Sequence, residues 1–321
     1  VTPTATDTPT VTPTPTLTPT PTDTPTPTPT ATPIVGPLTV DTTDDHDDGN
    51  CTAGDCTLRE AIGAANGGAG LNTIVFDPAL SGAIVLTLGE LTISDDLIID
   101  GPGSAILAVD GNHASRVFTV QGGGGPRPNS AITVAINGLA ITNGVANTSP
   151  GGGGLFIDQL ATFSGDDLNV SGNRAPAYDG GGIHNAGVAT LTNSRVHDNS
   201  VGYPAADYTQ YGGGIFDANG AQLTLTNVEI DSNSIVDISY GSGRGAGLAI
   251  GYNGSATLQD VGIHHNQITV TGDGGGVYFS GNLSLTNSRV HDNSVVDGSG
   301  GGFYAYYPGG GLAIDRSAVY S

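Results

Sequence analysis

The sequence predicts an all-β fold: a right-handed parallel β-helix (solenoid) with a short N-terminal capping helix and an extended Thr-Pro-rich N-terminal segment. A unit opening on a glycine run recurs from Gly151, and an Asn repeats at 173, 199, 233, 266 and 293, intervals of 26 to 34 residues. Within a unit the apolar pieces, such as 183–185, 190–193 and 195–198, run to five residues or fewer between Gly and Asn, which leaves no room for a helix in each repeat. The chain has 52 Gly, 6% aromatic residues, no Trp and no Met in 321 residues, so burial must come from stacked small aliphatics rather than an aromatic-rich core. These shifts in pattern divide the chain into three segments: 1–37, 38–72 and 73–321.

In the first segment every even position is threonine: Thr2, Thr4, Thr6, Thr8, Thr10, Thr12, Thr14, Thr16, Thr18, Thr20, Thr22, Thr24, Thr26, Thr28, Thr30 and Thr32. Proline fills most odd positions, removing amide donors and holding its predecessors extended, so this stretch is a stalk and not a helix. An extended chain puts the hydroxyls on one side, and the expectation is an O-glycosylated stalk rather than a bare spacer. A chain that starts at Val1 and contains no Met is expected to follow an upstream segment that includes a secretion signal.

The second segment opens on Leu38 and Val40 and passes through DTTDDHDDGN, where Asp44, Asp45, Asp47 and Asp48 precede Gly49. That density of hard oxygens points to calcium, although His46 stands at a ligand position and no Glu closes an EF-hand. Cys51 and Cys56 are expected to form a small disulfide loop; zinc would need two further soft ligands, and His46 alone does not supply them. TLREAIGAAN then spaces Leu58, Ala61, Ile62 and Ala65 helically, with Thr57 as N-cap and Glu60 three residues on. A helix over 58–65 is expected to cover the first sheet edge.

From Thr73 the alternation becomes that of strands. Ile183, Leu191 and Val196 take inward positions, recurring as Ile215, Leu225, Ile230 and as Val277, Leu285, Val290. The repeated Asn173, Asn199, Asn233, Asn266 and Asn293 are expected to stack as an amide ladder, with the last four in left-handed turns. The Gly runs permit turns too tight for a Cβ.

The segment CTAGDCTLREAIGAANGG resembles the bacterial CSLREA domain, and the GGGI-type repeats ending in HDNS resemble those of polymorphic outer-membrane proteins and related adhesins. The resemblance spans about 38–321 and implies a β-helix exported to the cell surface, with adhesive or envelope roles and no family active site.

Thirty carboxylates against eight arginines and no lysine give a net charge of −22, which disfavours nucleic acid and anionic membrane surfaces as partners. No apolar run is long enough to span a bilayer. Asp166, Asp167 and Asp179 are the carboxylates that could act on a polysaccharide, but no basic partner set follows them. His184, His197, His264, His265 and His291 fall on strands or turns, with His197 and His291 facing out beside Asp198 and Asp292. Tyr203, Tyr208, Tyr211, Tyr304, Tyr306 and Tyr307 lie in the longer loops and could form a binding face.

The expectation is an extracellular structural protein at the cell surface, not an enzyme, whose copies join head to tail into a glycosylated filament, because the last repeat is left open at Ser321. A carbohydrate- or surface-binding adhesin is the first alternative, and a polysaccharide lyase or glycosidase the second.

Overall fold

The computed structural model describes residues 36–123, 130–202, 209–236, 241–306 and 310–320. All sixteen stalk threonines lie outside these residues, as do Tyr203, Tyr208, Tyr307 and Ser321. The β-helix belongs to the compact unit Thr32–Ser321.

The fold is the expected right-handed parallel β-helix. One sheet of eight described strands rises from Leu91–Ile93 through Phe118–Val120, Leu155–Ile157, Ile183–Asn185, Ile215–Asp217, Leu248–Ile250 and Val277–Phe279 to Phe303–Ala305. Every neighbour in it is parallel and in unbroken register. A longer sheet carries strands such as Val188–Thr192, Gln222–Thr226, Ser255–Gln259 and Asn282–Thr286, and a third, shorter sheet closes the remaining side. Period-two alternation sends one set of side chains inward. Ile183, Leu191, Val196, Ile215, Leu225, Ile230, Val277, Leu285 and Val290 are all buried in one continuous core.

The asparagines do stack. Asn173 Nδ2 donates to Asn199 Oδ1 at 2.9 Å, Asn199 to Asn233 at 3.0 Å, Asn233 to Asn266 at 2.9 Å and Asn266 to Asn293 at 2.9 Å. Each of the first four also gives its backbone amide to the next Oδ1, and each of the five donates from Nδ2 to a carbonyl of a preceding coil, such as Ile141 O for Asn173. The buried carboxamides of Asn173, Asn199, Asn233 and Asn266 are thereby satisfied, which is why asparagine can stand in a dry interior. The left-handed turn sits one residue earlier than expected, at Asp198, Ser232, His265 and Asp292, with φ of 54°, 57°, 55° and 52°. The turn residue aims outward, and the Asn after it re-enters the core.

The Gly runs face this ladder. A Cβ on Gly214 would lie 2.7 Å from Gly247 O and 2.8 Å from Asn233 Nδ2, so only glycine lets successive coils approach there. The helix runs Leu58–Gly67, two residues beyond expectation, with both halves of the capping box made between Thr57 and Glu60. It buries Leu58, Ala61, Ile62 and Ala65 against the first coils. Cys51 and Cys56 are joined in a disulfide with their Cα atoms 4.3 Å apart.

Candidate functional site

On the eight-stranded sheet the middle residue of each strand faces outward. In register these are Thr92, Thr119, Phe156, His184, Phe216, Ala249, Tyr278 and Tyr304. Ala249 is the one small residue between large rings, and the gap is closed: the Tyr211 ring lies 5.5 and 5.7 Å from those of Phe216 and Tyr278, and Ala249 is fully buried in their cluster. The turns beside the sheet raise a groove next to this cluster. Between the register pairs Asn185–Asp217 and Val188–Gln222, one coil has two residues (186, 187) and the next has four (218–221). The following coil again has four, 251–254, and the next returns to two, 280 and 281. The longer turns bring Ala218, Asn219, Gly251 and Tyr252 up as one wall. Tyr211 and Arg244, ahead of their strands, form the other with Asp179, and the enclosed volume is about 600 Å³.

Arg244 Nη1 donates to the hydroxyls of Tyr211, at 2.9 Å, and Tyr278, at 3.2 Å. Its guanidinium lies 5.6, 5.0 and 4.9 Å from the ring centroids of Tyr211, Tyr278 and Tyr306. Nε is buried without a hydrogen-bond partner among the described residues. Burial works against the charge, while Tyr211 and Tyr278 hold it, and the net shift of its pKa is upward. Burial also raises the pKa of Tyr278, against the pull of Arg244, so its phenol keeps its proton at neutral pH.

Asp179 Oδ1 accepts from the Tyr211 amide at 2.8 Å. Burial pushes its pKa up to about 7, with that hydrogen bond opposing. A carboxyl so placed can hold or take a proton at neutral pH. His184 is wedged edge-on between Phe156 and Phe216, ring centroids 5.5 and 5.0 Å away. Burial drives its pKa down to about 4, so it is neutral, and its Nδ1 lies 3.3 Å from the Asp179 carbonyl.

The carboxylates nominated from sequence do not assemble. Asp166 accepts from the side chains of Thr192 and Asn193, which hold its pKa low. Asp167 sits at φ 50° and accepts from Ser104 N–H and Oγ–H at 3.1 and 2.7 Å. Both belong to the long sheet, whereas Asp179 is in the groove. His197 and His291 do lie beside their aspartates, at 2.6 and 2.8 Å, and His264 contacts His265 and Glu229 at 2.8 and 3.2 Å.

In the acidic loop Asp45 is buried and pairs with Arg59, Nε to Oδ1 at 2.8 Å, besides accepting from the Thr87 and Leu88 amides. Asp47 and Asp48 cap their own turn through Gly49 and Asn50, and Asp44 N donates to Thr42. Of the four carboxylates expected to hold calcium, those of Asp45, Asp47 and Asp48 therefore point to different partners, and no group of three or more His, Cys, Asp or Glu that could hold a metal occurs among the described residues.

Of the tyrosines nominated, Tyr211 and Tyr306 meet at Arg244, and Tyr304 stacks on Tyr278 at 6.0 Å. Sequence reasoning missed Arg244, Phe216, Ala249 and Tyr278. A signal existed: GGGIF, GAGLA, GGGVY and GGGFY put Phe216, Ala249, Tyr278 and Tyr304 at one offset after the glycine run.

The model of the right-handed beta helix region matches residues 129–319, more than half of the chain, and the chain belongs to that family. No curated protein matches it. Among solved structures, the A-module of the Azotobacter vinelandii mannuronan C-5 epimerase AlgE6 is similar at 14% identity and a TM-score of 0.22, over 82% of this chain and 94% of that one.

The expectation that the chain is not an enzyme is corrected by these findings. Its family is the right-handed β-helix region, and the groove holds a near-neutral carboxyl among phenols and a guanidinium. The sequence reading failed because it sought paired carboxylates close together in the chain, while the groove is assembled from coils about thirty residues apart. Among the described residues no helix is long and apolar enough to cross a membrane.

Proposed function

We propose that this protein is a polysaccharide-acting enzyme whose active site is the groove between Arg244 and Tyr252, with Asp179 as the proton-transferring group. The observation that carries the reading is Asp179: its pKa is pushed to about 7 and it lines the same 600 Å³ groove as Arg244 and the tyrosines. Two exposed groove tyrosines support it, since Tyr252 and Tyr306 offer apolar faces of the kind on which sugar rings stack, and phenol hydroxyls supply polar contacts. An extracellular location fits both a polymeric substrate and the Cys51–Cys56 disulfide. The test is incubation with pectins, alginates, xylans and neutral glucans, followed by chain-length and NMR analysis of the products. Turnover that disappears in Asp179→Asn supports the reading, and no turnover on any polymer rejects it.

A further inference from the structure

A β-helix starts on strands with no coil beneath them, and each such edge is a template for further pairing unless something covers it. The first coil of this chain covers several. Leu38–Val40 lies in parallel register beside Asn72–Phe76. At Leu91–Ile93 the helix imitates a neighbouring strand: Asn66 Nδ2 donates to Thr92 O and Asn66 Oδ1 accepts from Ser94 N, both at 2.8 Å. Just ahead of that strand Arg59 donates to Gly89 O and Glu90 O.

The strand Gly82–Val85 has no such cover. Among the described residues it pairs with Leu107–Asp110 on the next coil and with no other strand. Gly82 N donates to Ile106 O and Leu86 N to Asp110 O, so in the alternation of a parallel ladder Ile84 faces the same way, and the N–H and C=O of Ala83 and Val85 face the free edge. Both of those side chains are exposed, while Ile84 is buried. The acidic loop stands across a space of about 610 Å³ and supplies no strand to fill it. Its contacts fall beyond the strand, where Asp45 accepts from the Thr87 and Leu88 amides.

The lining has one sign of charge. Asp45 is matched by Arg59, but Asp44 and Asp47 are exposed and neither makes an ion pair among the described residues. No arginine lines the space, and Val85 and Leu88, 40% and 57% exposed, add apolar surface. An unpaired backbone edge beside unmatched carboxylates complements an extended chain that carries cations.

We infer that the free edge of Gly82–Val85 is a docking site for an extended basic peptide segment of another protein, which adds as a strand. Its backbone pairs with Ala83 and Val85, and its Lys or Arg side chains meet Asp44 and Asp47. Two residues offer two donors and two acceptors, so the backbone sets the register and the carboxylates select the partner. This site is separate from the groove around Arg244 and does not depend on its chemistry.

The experiment is fluorescence anisotropy on the full chain with a labelled, end-capped octapeptide of alternating threonine and lysine and its threonine–glutamate counterpart, joined to amide hydrogen exchange. The lysine peptide should bind about tenfold more tightly than the glutamate peptide, and the double variant Asp44→Asn, Asp47→Asn should lose that difference. Ala83→Pro deletes one edge N–H and leaves the ladder to Leu107–Asp110 intact, so it should weaken the lysine peptide about three- to tenfold. In wild type the lysine peptide should slow exchange at the Ala83 and Val85 amides and leave Ile84 unchanged, a readout that needs no variant to fold. Equal binding of the two peptides, binding of neither at millimolar concentration, or unslowed exchange at Ala83 and Val85 overturns the proposal. Slowing at those amides in the protein alone, as its concentration rises, assigns the edge to a second copy and overturns it as well.

Discussion

Asp217 is fully buried beneath the rim of the groove, and replacing it with Asn isolates the effect of one interior charge. Its Oδ1 accepts from Asn185 Nδ2 at 2.7 Å, while Oδ2 has no hydrogen-bond partner among the described residues. Burial pushes the pKa up to about 7 from an ordinary 3.8, with the Asn185 hydrogen bond opposing. Because the folded pKa is the higher, both states are protonated below about pH 4 and the stabilising contribution is complete there. Between pH 4 and 7 the unfolded chain ionises first, so stability falls; above 7 both states are charged and the loss is complete. A shift of about three units corresponds to about 4 kcal/mol. Asn keeps the Oδ1 acceptor for Asn185 and removes the charge. The variant should therefore match wild type near pH 4 and exceed it by up to about 4 kcal/mol at pH 8. Urea unfolding at pH 4, 6 and 8 reads this directly. Curves for the two proteins that stay parallel across that range would refute the argument, because the difference isolates this group from other titrating carboxyls such as Asp179.

The turnover rate should show a limb near pH 7 that is absent in Asp179→Asn, since burial places that carboxyl at about 7; a profile flat from pH 5 to 8 counts against its role. Leu225→Ala, in the middle of the core column, should cost about 2–5 kcal/mol in urea unfolding. Asn233→Ala removes one rung and leaves Asn199 N, Asn199 Nδ2 and Val196 O without their partners, so a loss of about 2–4 kcal/mol is expected, well above that of an exposed Asn such as Asn287. Alkylation without reductant should modify neither Cys51 nor Cys56, and intact mass detects the addition if it occurs.

Much of the scaffold was legible because it repeats. The Asn at each coil marks the ladder, the short apolar pieces mark the strands, and Thr57 with Glu60 marks the helix start. The turn geometry was misplaced by one residue because Asn is the familiar left-handed residue, and here Asp198, Ser232, His265 and Asp292 take that strain while Asn serves the interior. The groove was much less legible. Arg244 meets Tyr211 and Tyr278, 33 and 34 positions away, and nothing local to any of the three signals the meeting. Adjacent Asp166 and Asp167 looked like chemistry because they are neighbours in sequence. In the fold, each is consumed by hydrogen bonds to Thr192 and Asn193 or to Ser104.

The ladder separates counting from shaping. The coil from Asn199 to Asn233 covers 34 residues and the one from Asn173 to Asn199 only 26, yet their rungs measure 3.0 and 2.9 Å. Axial rise is therefore set at one corner regardless of how much chain each coil contains. Surplus residues must leave at the other corners, where they cannot disturb the rungs. The two-residue extensions that wall the groove are of this kind, so the molecule tolerates insertion where its surface is being shaped and resists it where its pitch is kept. A residue added between Asp231 and Asn233 would move every rung above it, whereas one added near Asn219 would change only the outline of the rim.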